Sequence, residues 1–313
     1  MSAGEWSGRW SGRVESDRQR PAEQRRPGRT NADDFSRATT RGSRLSRRRL
    51  SELADDLSER DRAVLDALRT VRVLTGSQLE RLLFGAIATA ARGRVRRRVL
   101  GRLGRVGLGE TLTRRVGGVR AGSSGLVYAL PAAGRRLLDL VAGPTLVRRR
   151  AAYTPSALFL AHMLAVSEVY VGLSEVAAVD HGWALAAFAV EGDARWAADG
   201  VEMLRPDALV ALATEEVEDV WWLEVDRGTE SLPRLRTMAE RYLAFAHSGE
   251  PGPRGVVPRV AISVESDERL YRLRGLVRRL PAPASELFVV CRDDDTVGVL
   301  VDAIRSTSSL EPP

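Results

Sequence analysis

The 313-residue chain carries 48 basic residues, every one of them arginine, against 41 acids, for a net charge of +7. Its single cysteine, Cys291, excludes an intramolecular disulfide and a cysteine-based zinc site. The length suits two domains of roughly 100–200 residues each plus a tail, and the polar, arginine-rich start is unlike a secretory signal, so a cytoplasmic protein is expected.

Charge is unevenly placed: +7 over residues 1–50, +11 over 51–150 and −11 over 151–313. A basic front half suits neutralisation of phosphate, and an acidic back half suits a different task. A bias toward arginine codons would raise arginine everywhere but would not cluster it.

Residues 1–50 are rich in Arg, Ser, Gly and Pro and poor in aliphatic side chains, so a disordered basic arm is expected, either steering the protein onto DNA or simply solvated. Residues 51–150 follow as a first domain, with order beginning near Ser58. Ser58-Glu59-Arg60-Asp61 reads as an N-cap with acids in the first turn, and Val64, Leu65 and Leu68 continue at helical spacing. Thr75 or Ser77 starts a second short helix through Leu79, Leu82, Leu83 and Phe84. A third helix runs from about Ala90 to Val106 and stops at Gly107. Two β-like stretches, Glu110 to Val116 and Leu126 to Leu130, flank the glycine-rich Gly117–Gly125 as a hairpin. With a closing helix at about Ala132–Val141, this pattern is that of a winged helix-turn-helix.

Residues 151–313 read as an α/β domain, giving an α+β protein overall. A helix at Ser156–Ala177 precedes strands at Ala184–Val190, Pro206–Ala213 and Val220–Val225. A helix at about Pro233–His247, a strand at Val260–Val264, a helix at about Asp267–Leu280 and a strand at Leu287–Cys291 complete an αβββαβ order. His162, Ser167 and Glu168 interrupt the longest apolar stretch, so no membrane span is expected.

The third helix concentrates the positive charge. No acid lies between Glu80 and Glu110. At about 100° per residue, Val95, Val99, Leu103 and Val106 make one arc, Arg94, Arg98 and Arg105 the opposite one, and Arg97 and Arg102 flank the latter. The third helix of a helix-turn-helix enters the major groove, where arginine reads guanine or clamps phosphate. Arg114, Arg115 and Arg120 on the hairpin would reach neighbouring phosphates. The competing reading is a solvated charged face.

The second constellation is acidic. Asp207 opens one strand, and Trp222, Glu224 and Asp226 share one face of the next, opposite Trp221, Leu223 and Val225. A carboxylate in an apolar strand needs a partner. With Glu168 on the preceding helix, Asp207 and Glu224 would form an oxygen site for Mg²⁺, with Asp207, Glu224 and Asp226 as the catalytic acids. Alternatively, Arg205, Arg227 or Arg236 pairs with Glu224 or Asp226 and organises the sheet without metal. The lysine that normally follows such a glutamate by two residues is missing, and arginine cannot replace it as a base. The histidines His162, His181 and His247 lack metal-ligand spacing, and His162 on an apolar helix reads as a core residue.

Taken together, Leu57-Ser58-Glu59-Arg60-Asp61, Val127-Tyr128-Ala129-Leu130 with Gly134, His162, Arg205-Pro206-Asp207, and Leu223 to Glu230 followed by Tyr242 resemble the replication-relaxation family of actinobacterial and archaeal mobile elements. The likeness spans about Leu57 to Val290. It implies a winged helix joined to a restriction-endonuclease-like domain that handles plasmid or integrated-element DNA. In the family pattern a lysine stands on the helix before the tyrosine, where Arg234 or Arg236 stands here. The implied partners are double-stranded DNA, replication or conjugation proteins, and a second copy in a homodimer. Two further functions remain open: a Mg²⁺-dependent nickase, and a transcriptional regulator with a partner-binding C-terminal domain.

Overall fold

The computed structural model describes residues 45–115, 125–142, 156–198 and 200–308. Its first half contains α1 (Arg47–Asp55), α2 (Glu59–Val71), β1 (Val73–Thr75), α3 (Gly76–Phe84), α4 (Thr89–Arg105), β2 (Glu110–Arg115), β3 (Leu126–Ala129) and α5 (Ala132–Ala142). Helix α2 starts where the Ser58 hydroxyl accepts the Asp61 amide and the Asp61 carboxylate accepts the Ser58 amide, a reciprocal capping box. Thr75 and Gln78 repeat the device at α3. The Ser58 start was legible from its short hydroxyl and the acid three residues later; at α3 the sequence left Thr75 and Ser77 open, and the capping box selects Thr75.

Two features here differ from expectation. Helix α1 begins at Arg47, well before Ser58, because Leu50, Leu53 and Ala54 form a buried stripe and the Arg136 guanidinium on α5 donates to the Leu45 carbonyl at 2.9 Å. Val73–Thr75 is a strand, pairing antiparallel with β3 (Val73 opposite Ala129), while β2 takes the other edge of β3. Three residues are too few to show a period of two. The disordered-arm expectation for residues 1–44 and the hairpin tip at 116–124 lie outside the described residues.

The second half contains α6 (Ala157–Ala177), β4 (Ala184–Val190), β5 (Trp196–Ala198), β6 (Val201–Leu204), β7 (Ala208–Ala213), β8 (Glu218–Asp226), α7 (Leu232–Ser248), β9 (Arg259–Val264), α8 (Asp267–Val277), α9 (Ala284–Leu287), β10 (Phe288–Arg292) and α10 (Thr296–Ser308). A five-stranded sheet runs β10-β9-β8-β7-β4. Strands β4, β7 and β8 form an antiparallel meander, and β9 and β10 continue it in parallel. The β5–β6 hairpin, α9 and α10 are additions to the expected order.

Alternation along β8 separates two apolar layers. Trp221, Leu223 and Val225 join a core that extends from Leu50 to Ile304 and includes α2, α6 and α10. Trp222 points to the other face, where α7 and α8 supply Tyr242, Phe245 and Leu273. Both indoles are fully buried. Helix α6 is long and apolar enough, by length and composition, to cross a membrane, despite the interruptions at His162, Ser167 and Glu168. In this fold it lies against α2, α3, β1, β4 and α10, so the apolar side chains that pass that test are packing both halves of the chain onto one another.

Candidate functional site

Helix α4 presents two chemically different faces. Val99, Leu100 and Leu103 are buried, whereas Arg94, Arg97, Arg98, Arg102 and Arg105 are exposed. Among the described residues, Arg94, Arg97, Arg98 and Arg105 have no ion-pair partner. The neighbouring arginines are engaged. Arg96, 1 % exposed, lies on the core side, donates to the Gly76 carbonyl at 2.7 Å and pairs with Glu80 at 2.9 Å. Arg81 on α3 bonds Glu168 and Glu175 of α6, and Arg92 caps the carbonyls of Gly85 and Ile87. Arg114 and Arg115 stand on β2, and Arg120 lies outside the described residues.

Arg102 differs from the other four exposed arginines because its guanidinium meets the fully buried Asp61. Burial alone would raise the Asp61 carboxyl, but Arg102 and the Ser58 hydroxyl and amide outweigh it and hold the group below its ordinary value. Arg102 therefore braces α4 against α2. Arg102→Ala is expected to cost about 1–2 kcal/mol in urea unfolding, discounted for the half-exposed guanidinium, because it strips a buried acceptor of a charged donor. Arg98→Ala is expected to stay within about 0.5 kcal/mol.

The acidic residues gather at the end of β8. Continuing the register Ala208↔Leu223 puts Asp207 opposite Glu224. One oxygen of Asp207 accepts the Val225 amide at 2.8 Å and the other faces His162 Nε2 at 2.9 Å. Desolvation would lower the His162 imidazole, but its hydrogen bond to Asp207, the charges of Asp207 and Glu191 and a bond to the Val225 backbone raise it above the ordinary value. Arg72 and Glu191 pair beside this contact, and both hold a positive φ, at 70° and 40°. Together with His162 and Asp207 they line one small cavity.

Glu224 is half-buried and accepts the Tyr242 hydroxyl at 2.5 Å. Desolvation, then the Asp207 and Glu230 charges, push its carboxyl well above the usual range despite the Tyr242 bond. Burial and the adjacent Glu224 likewise push the Tyr242 phenol far up. Asp226 is gripped by Arg269 of α8, which also donates to the Glu230 carbonyl at 2.6 Å.

A family model described as Replication-relaxation matches residues 65–260, more than half of the chain. The chain belongs to the replication-relaxation family. The matched span includes both the α4 arginines and the Asp207–Glu224 pair. No curated protein and no solved structure matches this family member.

The oxygens of this replication-relaxation protein do not fit the Mg²⁺ site expected from sequence. A hard cation needs several uncommitted oxygen donors. Glu168 instead accepts from Gln78 at 2.9 Å and from Arg81, and Arg269 occupies both oxygens of Asp226. Among the described residues no group of three His, Cys, Asp or Glu side chains is arranged to hold a metal. The structure brings Asp207 and Glu224 together and leaves Glu168 with α3. The expected arginine partners are also elsewhere: Arg227 pairs with Glu265 and Asp293, and Arg236 with Glu240. Sequence reasoning passed over Arg269, 43 residues from Asp226, and took His162 for a core residue. The signal for His162 was its departure from the apolar run of α6.

Proposed function

We propose that this protein binds double-stranded DNA through α4 and acts in the replication or relaxation of a plasmid or integrated element. The observation that carries the reading is the set of four exposed arginines, Arg94, Arg97, Arg98 and Arg105, which form no ion pair among the described residues. Arginines on α3 and on the inner side of α4 are paired, so local arginine richness alone does not account for this face. The order α2-β1-α3-α4-β2-β3 supports a winged helix-turn-helix in which α4 is the reading helix and the β2–β3 hairpin the wing. The α6-β4-β7-β8-α7-β9 order, with its antiparallel meander and parallel fourth strand, supports a restriction-endonuclease-like second domain.

Binding is favoured over cutting because the carboxylates are committed to His162, Tyr242, Arg269, Arg81 and Gln78. The second domain then serves as a docking and assembly body within a cytoplasmic complex on the element's DNA, with replication or conjugation proteins or a second copy as its partners. Fluorescence anisotropy on a labelled duplex across a salt series tests the reading. Four phosphate contacts give a slope of about −3.6 for log affinity against log salt, and contacts from the wing steepen it. An affinity that does not change with salt would reject an arginine-to-phosphate interface.

A further inference from the structure

Helix α4 contains a glycine that its own fold does not require. At about 100° per residue, Gly101 lies within ~20° of Arg94 and ~40° of Arg105 on the helical wheel, at the middle of the cationic face. It is exposed, its φ is not positive, and a β-carbon built on it meets no atom within 4 Å. Gly134 provides the contrast, since a β-carbon there would sit 2.5 Å from the Leu108 carbonyl oxygen. Neither packing nor backbone conformation explains Gly101. A glycine inside a helix nevertheless weakens it relative to alanine, through added freedom in the unfolded chain. Gly104 is also exposed, and its nearest neighbour, the Gly109 carbonyl oxygen, is 3.9 Å from a built β-carbon.

We infer that Gly101 is the point of closest approach between α4 and a DNA duplex, with bare backbone seated in the major groove and the surrounding arginines reaching the phosphates on either side. The inference rests on the DNA-binding reading and specifies its geometry. A helix with side chains is about 10–12 Å across and the major groove of B-DNA about 12 Å wide, so the fit is close. A gap in the side chains between Arg98 and Arg105 lets the helix backbone sit deeper at that point, and the flanking guanidinium groups then span to both walls. Around the axis Arg94, Arg105 and Arg98 lie about 20°, 40° and 60° to one side of Gly101, and Arg97 lies about 40° to the other.

Other nucleic acids fit this face less well. A-form RNA has a narrow, deep major groove that does not admit a helix. Single-strand binders stack bases on aromatic rings, and no aromatic residue occurs from Thr89 to Arg105.

The test compares full-length wild type with Gly101→Ala and Gly101→Leu by thermal unfolding and by anisotropy titration of a labelled DNA duplex, the matching single strand and the matching RNA duplex. Both substitutions are expected to raise Tm by about 1–3 °C. Duplex-DNA affinity is expected to fall about threefold for the alanine and about tenfold or more for the leucine. Opposite signs for stability and binding separate a partner-facing glycine from a structural one. Wild-type affinity in both variants, or a lowered Tm, overturns the inference and leaves DNA binding standing. Preference of wild type for single strand or RNA overturns the groove geometry. Failure of wild type to bind any of the three defeats the binding reading, and the inference falls with it.

Discussion

The double variant Arg94→Glu/Arg98→Glu is expected to bind duplex DNA at least about a hundredfold more weakly than wild type near 0.1 M salt, with a salt slope reduced by about 2. Each arginine lost removes a phosphate contact, and each glutamate placed there is repelled by the same phosphate. Folding should survive. Arg94 and Arg98 are exposed and have no described partner, so the change in unfolding free energy is expected to stay within about 1 kcal/mol. The matched control is Arg278→Glu/Arg279→Glu, which alters net charge equally at an exposed site at the end of α8. If bulk charge alone drives association, the two variants lose affinity together. If α4 is the interface, the control stays within about threefold of wild type. Unchanged binding by the α4 variant in a gel-shift titration would remove the ground for the proposed function.

How far the sequence foretold this arrangement depends on the range of the interaction. The helix start at Ser58 was readable, and that of α3 narrowed to Thr75 or Ser77, because capping acts over three residues. The two faces of α4 were readable because helical periodicity decides which side packs, and the structure buries Val99 and Leu103 and exposes Arg94 and Arg98; the burial of Arg96 was not foreseen. The alternation that sends Trp221 and Trp222 into different layers is equally local. Contacts that close over distance were not readable. Nothing in the neighbourhood of Asp226 announces Arg269, and nothing near Glu168 announces Arg81, 87 residues earlier. Helix α1 was missed for a different reason: RRRLSELAD has only three buried positions, too few to stand out from the arginine-rich stretch before it, although Ser46 caps it and α5 packs against it. Pairing Asp207 with Glu224 was accessible because adjacent strands of a meander must bring their ends together. Which cation each acid would meet depended on helices that arrive later in the chain.

Glu224→Gln is expected to stabilise the protein by on the order of 1–2 kcal/mol near neutral pH, against the usual outcome of a substitution in a strand. Desolvation and the facing Asp207 hold the Glu224 carboxyl well above its ordinary value of 4.5. Between 4.5 and that raised folded value, the folded state holds a proton that the unfolded state has released. Where the unfolded chain binds fewer protons, stability falls as pH rises, so the penalty is absent below about pH 4.5 and grows as pH climbs through the raised folded value. The amide isostere removes the charge and keeps an oxygen to accept the Tyr242 hydroxyl. Urea unfolding of both proteins at several pH values checks this, with the curves converging in acid and separating toward neutrality. His162, also raised, contributes stability that is present below 6.5 and lost on passing its folded value. That slope has the same sign, but it belongs to both proteins and largely cancels in the difference. A destabilised glutamine variant would show that the charged carboxylate is itself part of the sheet's structural bonding. A stabilised one would mean that the fold tolerates Glu224 at a cost, the pattern found where a residue is retained for function over stability.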